Sequence, residues 1–290
     1  MTDAPVTVVI ATRDRAPSLL RTLDRLATVS GDPPVIVVDN GSADGSVDAV
    51  GHAFPDVQVL AAGRNLGAAA RTLGVARAST PYVAFSDDDS WWGTGALDRA
   101  AAAMDAHANL GVVAARVEVG AAQVVDPVCA EMARSPLPAE AGLPGRPVLG
   151  FLACGAVVRR TAYLEVGGFS DFLFFIGEEG LLAIDIAQAG WALTYLDDVV
   201  AHHHPHPRGD HRARRRQAAR NDLLSVWMRR PPRSALRVSA RILASASRDA
   251  AVRRGVGDAL AVLPGAVRRR HVIDAHLDRR LAMLELVPGG

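Results

Sequence analysis

The chain has 290 residues, of which 49% are hydrophobic, and a formal net charge of +1. This length and composition suffice for one large domain or two small ones with a buried core, so we expect the chain to fold. Cys129 and Cys154 are too few for a disulfide framework and lack the spacing of a zinc site, which favours a reducing, cytoplasmic setting. The segment MTDAPVTVVI lacks the features of a signal peptide, and no stretch approaches about 18 uninterrupted apolar residues, so we expect neither secretion nor a membrane span.

Charge is distributed unevenly along the chain. Residues 208–290 contain 19 arginines and 7 acidic residues, a net charge of +12, whereas residues 1–207 have a net charge of −11. We therefore predict an acidic first domain, residues 1–207, and a basic helical region, residues 208–290.

Short apolar runs alternate with helical patterns in the first region. The predicted strands are, in order, VTVVIA, VIVVD, VQVLAA, YVAFS, LACGAVVRR and ALTYLDD. The predicted helices are PSLLRTLDRLATV, residues 46–54, 67–78 and 95–107, and EEGLLAIDIAQAG. This alternation favours an α/β fold, a Rossmann-like, mainly parallel sheet flanked by helices. Residues 120–148 are predicted to be an irregular connection, and the basic region is predicted to form amphipathic helices.

Polar segments follow the first four predicted strands: ATRDR, DNGSADGS, GRNLGAAAR and SDDDS. Ligands of parallel sheets bind beyond the carboxyl ends of the strands, so these segments are candidate binding loops. Asp39 can accept hydrogen bonds from a base or ribose hydroxyl, and Arg64 and Asn65 precede a helix whose free N–H groups favour a diphosphate. None of the glycine patterns is GxGxxG or a P-loop, which argues against dinucleotide oxidoreductases and ordinary NTPases.

An ordered set of motifs resembles a family 2 glycosyltransferase of the glycosyltransferase A fold. The motifs are VVIATRDR, VIVVDNGSADGS, GRNLGAAARTLGVARAS, YVAFSDDDS, ACGAVVRR with GGF, and GEEG. The resemblance implies an enzyme that moves a sugar from a nucleotide-diphosphate donor to an acceptor hydroxyl, with inversion and with Mg²⁺ or Mn²⁺ as cofactor. The nucleotide-binding residues that it implies are Ala11, Thr12, Arg13, Asp39, Arg64, Asn65, Arg71, Asp87 and Asp88.

Three consecutive aspartates leave the fourth predicted strand in the segment FSDDDSWW. Alternate residues of an extended segment point the same way, so Asp87 and Asp89 can share one side and offer the oxygen ligands that hard divalent cations prefer. The resemblance assigns Asp87 and Asp88 to the nucleotide and Asp89 to the metal. One histidine of HHHPHPRGDH, His203 or His204, is predicted to complete the metal shell. A solvated acidic loop is the alternative.

The second carboxylate pair is Glu178 and Glu179, in a pocket predicted to be lined by Phe174 and Phe175. An inverting transfer needs a base beside the acceptor hydroxyl. Family members usually carry Glu-Asp here, with the second residue as base, so the resemblance implies Glu179, with Glu178 as the alternative. Both carboxylates could instead only compensate the dipole of a helix.

The acceptor side is predicted from four residues: Trp91, Trp92, Gly155 and Arg159. Either tryptophan could cap a sugar ring or simply anchor the following helix. The sequence leaves the donor sugar and nucleotide open, and the acceptor could be a glycan, a lipid-linked glycan or a small molecule.

Alternative functions also remain at this point. A nucleotidyltransferase would share the acidic site, but ATRDRAPS lacks its glycine run; a non-catalytic nucleotide- or membrane-binding protein on a transferase scaffold is the other alternative. The basic helices could pack on the catalytic domain or in a homo-oligomer, or make peripheral contact with the inner membrane face. Without interleaved aromatic residues in this region, nucleic acid is not an expected partner.

Overall fold

The computed structural model describes residues 4–29, 32–205 and 210–285. Within these ranges, the strands are β1 (Val6–Thr12), β2 (Val35–Asp39), β3 (Gln58–Ala61), β4 (Tyr82–Asp87), β5 (Ser90–Trp92), β6 (Leu110–Val119), β7 (Val124–Val125), β8 (Arg146–Pro147), β9 (Ala156–Arg159) and β10 (Ala192–His203). The α-helices there are α1 (Ala16–Leu26), α2 (Ser46–Ala53), α3 (Ala70–Arg77), α4 (Ala96–Ala106), α5 (Pro127–Ala133), α6 (Arg160–Glu165), α7 (Glu178–Gln188), α8 (His211–Arg229), α9 (Pro232–Ala246), α10 (Ala250–Arg268) and α11 (Ala275–Leu284).

The strands form one mixed sheet in the order β3-β2-β1-β4-β9-β6-β10-β5, with β7 beside β6 and β8 beside β10. Strands β3, β2, β1 and β4 are parallel to one another, and β6 is parallel to β10. Strand β9 is antiparallel to both of its neighbours, β4 and β6, and β5 is antiparallel to its one neighbour, β10. The predicted α/β fold with a mainly parallel sheet flanked by helices is confirmed.

The central strands are buried on both faces, which explains why their sequences are continuous apolar runs. Val8, Val9 and Ile10 of β1 are fully inaccessible to solvent. Helices cover both faces of a parallel sheet, so each such strand needs apolar side chains at successive positions. The polar residues therefore collect where the strands end.

The sequence-based prediction is wrong between residues 108 and 148. Leu110–Val119 forms the ten-residue strand β6, which was not predicted, and the stretch expected to be irregular contains α5 and the short strands β7 and β8. Most of β6 is buried between β9 and β10. The position of β6 in the sheet depends on contacts with strands that are distant in sequence, and a single apolar run of this length does not reveal such contacts.

The C-terminal helices pack on the sheet domain. Leu223, Leu224 and Met228 of α8 form a buried cluster with Leu173 and with Leu181 of α7. A second cluster joins the buried residues Ile273, Leu277 and Leu281 to Leu137 and Leu149 of the long connection. Of the alternatives for these helices, packing on the first region is therefore observed, whereas the predicted boundary between residues 207 and 208 lies outside the described residues.

Among the described residues, no helix combines the length and the apolar character needed to cross a bilayer.

Two glycines of α10 should respond oppositely to replacement by alanine. A Cβ atom at Gly255 would lie 2.2 Å from the main-chain oxygen of Arg216 in α8, whereas one at Gly257 would meet nothing within 4 Å. We expect Gly255→Ala to lower the free energy of unfolding by about 1–3 kcal/mol, because backbone must move. Gly257→Ala should raise it by roughly 0.5–1 kcal/mol through helix propensity. Urea denaturation checks both, and equal effects would contradict close packing of α8 on α10.

Candidate active site

The carboxyl ends of β1, β2 and β4 meet at one edge of the sheet. Thr12 is in register with Asp39, and Ala11 with Asp87, so the residues that leave these three strands become neighbours. Asp39 is 5% exposed and accepts hydrogen bonds from the main-chain N–H groups of Gly41 (3.2 Å) and Ser42 (3.1 Å). This edge therefore brings together Ala11, Thr12, Asp39 and Asp87 of the predicted nucleotide site.

Asp87, Asp89 and His203 form a possible cation site. Each offers one ligand atom, and the three atoms lie within 4.8 Å of one another. Antiparallel pairing of β5 with β10 places His203 opposite Ser90, and the Nε2 atom of His203 lies 3.3 Å from Oδ1 of Asp89. Burial alone would lower the pKa of His203, but its hydrogen bond to the Asp89 carboxylate gives a net increase in pKa. Two carboxylates and one imidazole suit Mn²⁺ and, with water or phosphate oxygens added, Mg²⁺.

Asp88 points to the opposite side. Its carboxylate accepts a hydrogen bond from Oγ1 of Thr12 (3.0 Å), and its main-chain oxygen accepts one from Thr22 (2.9 Å). Burial raises the pKa of Asp88 to about 7, although Arg15 acts in the other direction. Because the side chain is only 12% exposed and is directed at β1, Asp88 supports the loop from within.

Arg15 is a site residue that the sequence analysis missed. Its Nη1 atom lies 3.8 Å from the carboxylate of Asp88 and 3.6 Å from that of Asp89, while the side chain remains 42% exposed. Arg13, which was predicted instead, is half exposed and pairs with Asp14 at 3.4 Å. Both arginines belong to the motif ATRDR. The motif therefore predicted an arginine at the site, but it did not indicate which of the two lies there.

Arg71 lies beneath the site. Its guanidinium forms an ion pair with Asp87, only 7% of the side chain is exposed, and it lies 5.8 Å from the ring centroid of Phe169. Burial would lower the pKa of Arg71, but Asp87, Glu178 and Glu179 together produce a net increase. The guanidinium of Arg71, a predicted nucleotide contact, is thus paired with Asp87 beneath the site.

Helix α7 begins at Glu178, and its first two residues point differently. Glu178 is 2% exposed, its Oε2 atom has no hydrogen-bond partner among the described residues, and burial raises its pKa to about 8. Glu179 remains partly exposed, and desolvation raises its pKa although Arg71 acts in the other direction. Phe174 and Phe175, which were predicted to line a pocket beside these carboxylates, are 42% and 45% exposed.

The loop after β3 lies against the end of β2. Asn40, which the sequence analysis did not single out, donates to the main-chain oxygen of Gly67 (3.0 Å) and accepts from the N–H of Leu66 (2.9 Å). Arg64 and Asn65 are exposed, and a Cβ atom at Gly41 would lie 3.3 Å from Cα of Arg64. The predicted diphosphate loop is thus fixed next to Asp39 with its polar side chains free of the core.

The two tryptophans of β5 face opposite sides of the sheet. Trp92 is 1% exposed and belongs to the main core, so it anchors the sheet, as the alternative interpretation proposed. Trp91 is partly exposed and its ring lies 4.6 Å from that of His204 and 5.6 Å from the guanidinium of Arg25. His204 stacks on Trp91 instead of joining the cation site, and His206 lies outside the described residues.

Two predicted acceptor residues are structural. Arg159 donates to the main-chain oxygens of Leu110 (3.0 Å), Met104 (2.8 Å) and His107 (3.2 Å), next to the beginning of β4 and far from its carboxyl end. Gly155 is buried, and a Cβ atom there would lie 2.5 Å from Val117. The glycine is needed for close packing beneath the site, and the arginine for joining α4 to the sheet.

Comparison with known proteins gives consistent matches. Residues 7–167 match the model of glycosyl transferase family 2. The chain is 29% identical over 280 residues to an N-acetylglucosaminyl-diphospho-decaprenol L-rhamnosyltransferase of Mycobacterium tuberculosis, covering 82% of this chain and 91% of the relative.

Solved structures share the fold at low sequence identity. The mannosyltransferase PcManGT from Pyrobaculum calidifontis, in complex with GDP-Man and Mn²⁺, superposes with a TM-score of 0.58 at 20% identity, covering 98% of this chain and 77% of that one. S. aureus TarS 1-349 in complex with UDP-GlcNAc gives a TM-score of 0.56 at 17% identity, covering 76% and 66%.

The buried Glu178 should make stability depend on pH. Its pKa of about 8 exceeds the ordinary value of 4.5, so the folded state keeps a proton that the unfolded state releases. Stability from this group is complete below pH 4.5 and falls as the pH rises towards 8, by at most about 1.4 kcal/mol per pH unit. Glu178→Gln should flatten this slope in urea titrations at about pH 5.5 and about pH 7.5, two points within that window. The exposed Glu131→Gln serves as control; an unchanged slope in Glu178→Gln would contradict the assignment.

Proposed function

The chain belongs to glycosyl transferase family 2 and is a glycosyltransferase, and we propose that it moves a sugar from a nucleotide-diphosphate donor to an acceptor hydroxyl. In the proposed reaction, a divalent cation is the cofactor and the configuration of the anomeric carbon is inverted. The observation that carries this proposal is the convergence of Asp87, Asp89 and His203 at the edge where Thr12 and Asp39 also end. Within this proposal, residues 1–207 form the nucleotide-sugar-binding catalytic domain and residues 208–290 a supporting helical region.

For the donor, we propose that Asp39 binds the nucleoside and that Asp87, Asp89 and His203 hold Mn²⁺ or Mg²⁺. A divalent cation bound there would neutralise charge on the donor diphosphate and assist its departure. Arg15 lies at the same rim with an exposed guanidinium and can contact a diphosphate oxygen. The structural relatives that contain GDP-Man with Mn²⁺ or UDP-GlcNAc support a nucleotide sugar as donor.

For the acceptor, we propose that Glu179 removes the hydroxyl proton. The acceptor oxygen then bonds to the anomeric carbon as the bond from that carbon to the diphosphate oxygen breaks, and attack from the face opposite the diphosphate inverts the centre. We favour Glu179 over Glu178 for this role because residue 179 is partly exposed, whereas Glu178 is only 2% exposed. Desolvation raises the pKa of Glu179, which makes its carboxylate a stronger base once it is ionised.

The acceptor class that we propose is a lipid-linked glycan at an anionic membrane surface. The M. tuberculosis relative is named for an acceptor attached to decaprenol. Leu236 and Leu243 of α9 are 60% and 53% exposed, and Arg233 of the same helix is exposed as well. Such a face suits peripheral binding to the inner membrane surface, where anionic headgroups attract arginine.

Metal-dependent donor binding should require Asp89. We expect Asp89→Ala, and likewise His203→Ala, to weaken Mn²⁺-dependent binding of the donor nucleotide by at least about tenfold. Thermal-shift titration with UDP, GDP, dTDP and CDP, with and without Mn²⁺, measures this, because a ligand of the native state raises Tm. Asp98→Asn removes an exposed carboxylate of α4 as control. Intact metal-dependent binding in Asp89→Ala would show that the cation lies elsewhere.

Transfer should require the Glu179 carboxylate but donor binding should not. Glu179→Gln keeps the size of the side chain and removes the base, so we expect kcat to fall by about 10²- to 10⁴-fold with little change in donor affinity. Glu178→Gln is the matched neighbour and should retain substantial turnover. The reverse result would assign the base to Glu178, and donor binding without any turnover by the unaltered protein would favour a non-catalytic binding protein.

Membrane binding can be tested with the full chain and vesicles. We expect sedimentation with vesicles that contain phosphatidylglycerol, weaker binding in high salt, and little binding to pure phosphatidylcholine. Replacing both Leu236 and Leu243 with serine should weaken binding, whereas Leu73→Ser, on the exposed side of α3, should not. Absence of binding to anionic vesicles would sink the membrane proposal and leave the transfer reaction untouched.

A further inference from the structure

We infer that Asn221, a buried residue of α8 in the C-terminal region, is a positioning residue that fixes the loop carrying the two glutamates of the site. This inference rests on the proposed role of Glu179 as the base. It gives the C-terminal helices a part in catalysis that is separate from membrane contact and from general packing.

The Asn221 side chain is fully inaccessible to solvent, and its NH₂ group donates hydrogen bonds to a single loop. Its Nδ2 atom lies 3.0 Å from the main-chain oxygen of Leu173, 2.8 Å from that of Phe175 and 2.6 Å from that of Ile176. Three carbonyl groups of a single turn therefore converge on one amide nitrogen. A side-chain amide suits this position because it is uncharged and combines an NH₂ donor with a carbonyl oxygen that can accept hydrogen bonds.

The amide is itself held in orientation from within α8. Its Oδ1 atom accepts from Nη1 of Arg220 (2.6 Å) and from Nε2 of Gln217 (3.3 Å). The same Gln217 nitrogen lies 3.3 Å from the main-chain oxygen of Leu173. These donors face Oδ1, so the NH₂ group is directed towards the loop and cannot exchange places with the oxygen without losing both sets of bonds.

The loop adopts a backbone conformation that needs external support. Phe174 and Ile176 both have φ of +69°, in the left-handed region that side-chain-bearing residues disfavour, and Gly177 follows at +85°. Such conformations persist where surrounding contacts fix them. On the side away from Asn221, the main-chain oxygen of Phe174 accepts from the N–H of Ala68 (2.8 Å). The loop is thus held between α8 and the turn that precedes α3.

The next residues along the chain are those of the site. Gly177 is the N-terminal flanking residue of α7, and Glu178 and Glu179 are its first two residues. A shift of the loop would move both carboxylates relative to Arg71 and Asp87, which are fixed by α3 and β4. Because displacement of a reacting group by about 1 Å can lower the rate about 10²-fold, Asn221 controls the reaction without touching substrate.

The test compares Asn221→Asp with Ser225→Ala in the full chain. Asn221→Asp keeps the shape of the side chain but replaces the donor NH₂ with an oxygen. Ser225 lies one turn further along α8, and its hydroxyl has no hydrogen-bond partner within the part of the chain that the structure describes. We expect Asn221→Asp to bind UDP or GDP with Mn²⁺ as the unaltered protein does, because the cation site lies on other elements. Its kcat should fall by about 10- to 100-fold. Ser225→Ala should change neither quantity.

Hydrogen exchange supplies a readout that does not depend on the reaction. Amide exchange over residues 173–179 should become faster in Asn221→Asp than in Ser225→Ala. If the unaltered protein shows no transfer but the exchange rates differ in this way, the proposed function fails and the positioning role stands. Unchanged kcat and exchange in Asn221→Asp would overturn the inference, and so would parallel losses of donor binding and kcat.

Asn221→Ala serves as the second variant in case the carboxylate prevents folding. It removes the donor without placing negative charge against three carbonyl oxygens, and the same loss of kcat with retained donor binding is expected. If neither variant folds, Asn221 is required for the fold as a whole and the specific positioning role is overturned.

Discussion

The buried guanidinium of Arg71 is the charge on which the candidate site depends. It pairs with Asp87 and acts electrostatically on Glu178 and Glu179, three carboxylates that come from two distant segments of the chain. Without this cation the three carboxylates would repel one another, which would disfavour their ionised forms. The arrangement explains how α7 can present two adjacent acids to the interior edge of the sheet.

The sheet and the C-terminal helices hold the site from opposite sides. Pairing of β5 with β10 brings His203 to Asp89, while Asn221 and the bidentate ion pair of Arg229 with Asp185 fix the loop before α7 and the helix itself. The C-terminal helices therefore form one packed architecture with the sheet region. Its exposed face remains available for a further role, which is why packing and membrane contact are compatible.

Adjacent residues of identical type have different surroundings throughout the site. Asp88 is buried against Thr12, whereas Asp89 faces His203. Likewise, Trp92 lies in the core, whereas Trp91 is partly exposed. Asp88 and Asp89 lie in the turn between β4 and β5, whereas Trp91 and Trp92 are successive residues of β5, where side chains alternate between two faces. In the first turn of α7, successive residues are about 100° apart around the helix axis, so the carboxylates of Glu178 and Glu179 point in different directions. A motif written as DDD or EE therefore contains residues with distinct roles.

The sequence by itself determined the alternation of strands and helices, the polar ends of the strands and the ordered motifs, because these depend on local periodicity and residue type. Tertiary structure decided the rest. Strand β6 became central only through its neighbours, Arg159 was directed away from the site by three carbonyl oxygens, and Arg15 and Asn221 gained their importance from partners distant in sequence. Periodicity is encoded in adjacent residues, but the proximity of distant residues arises only when the whole core packs.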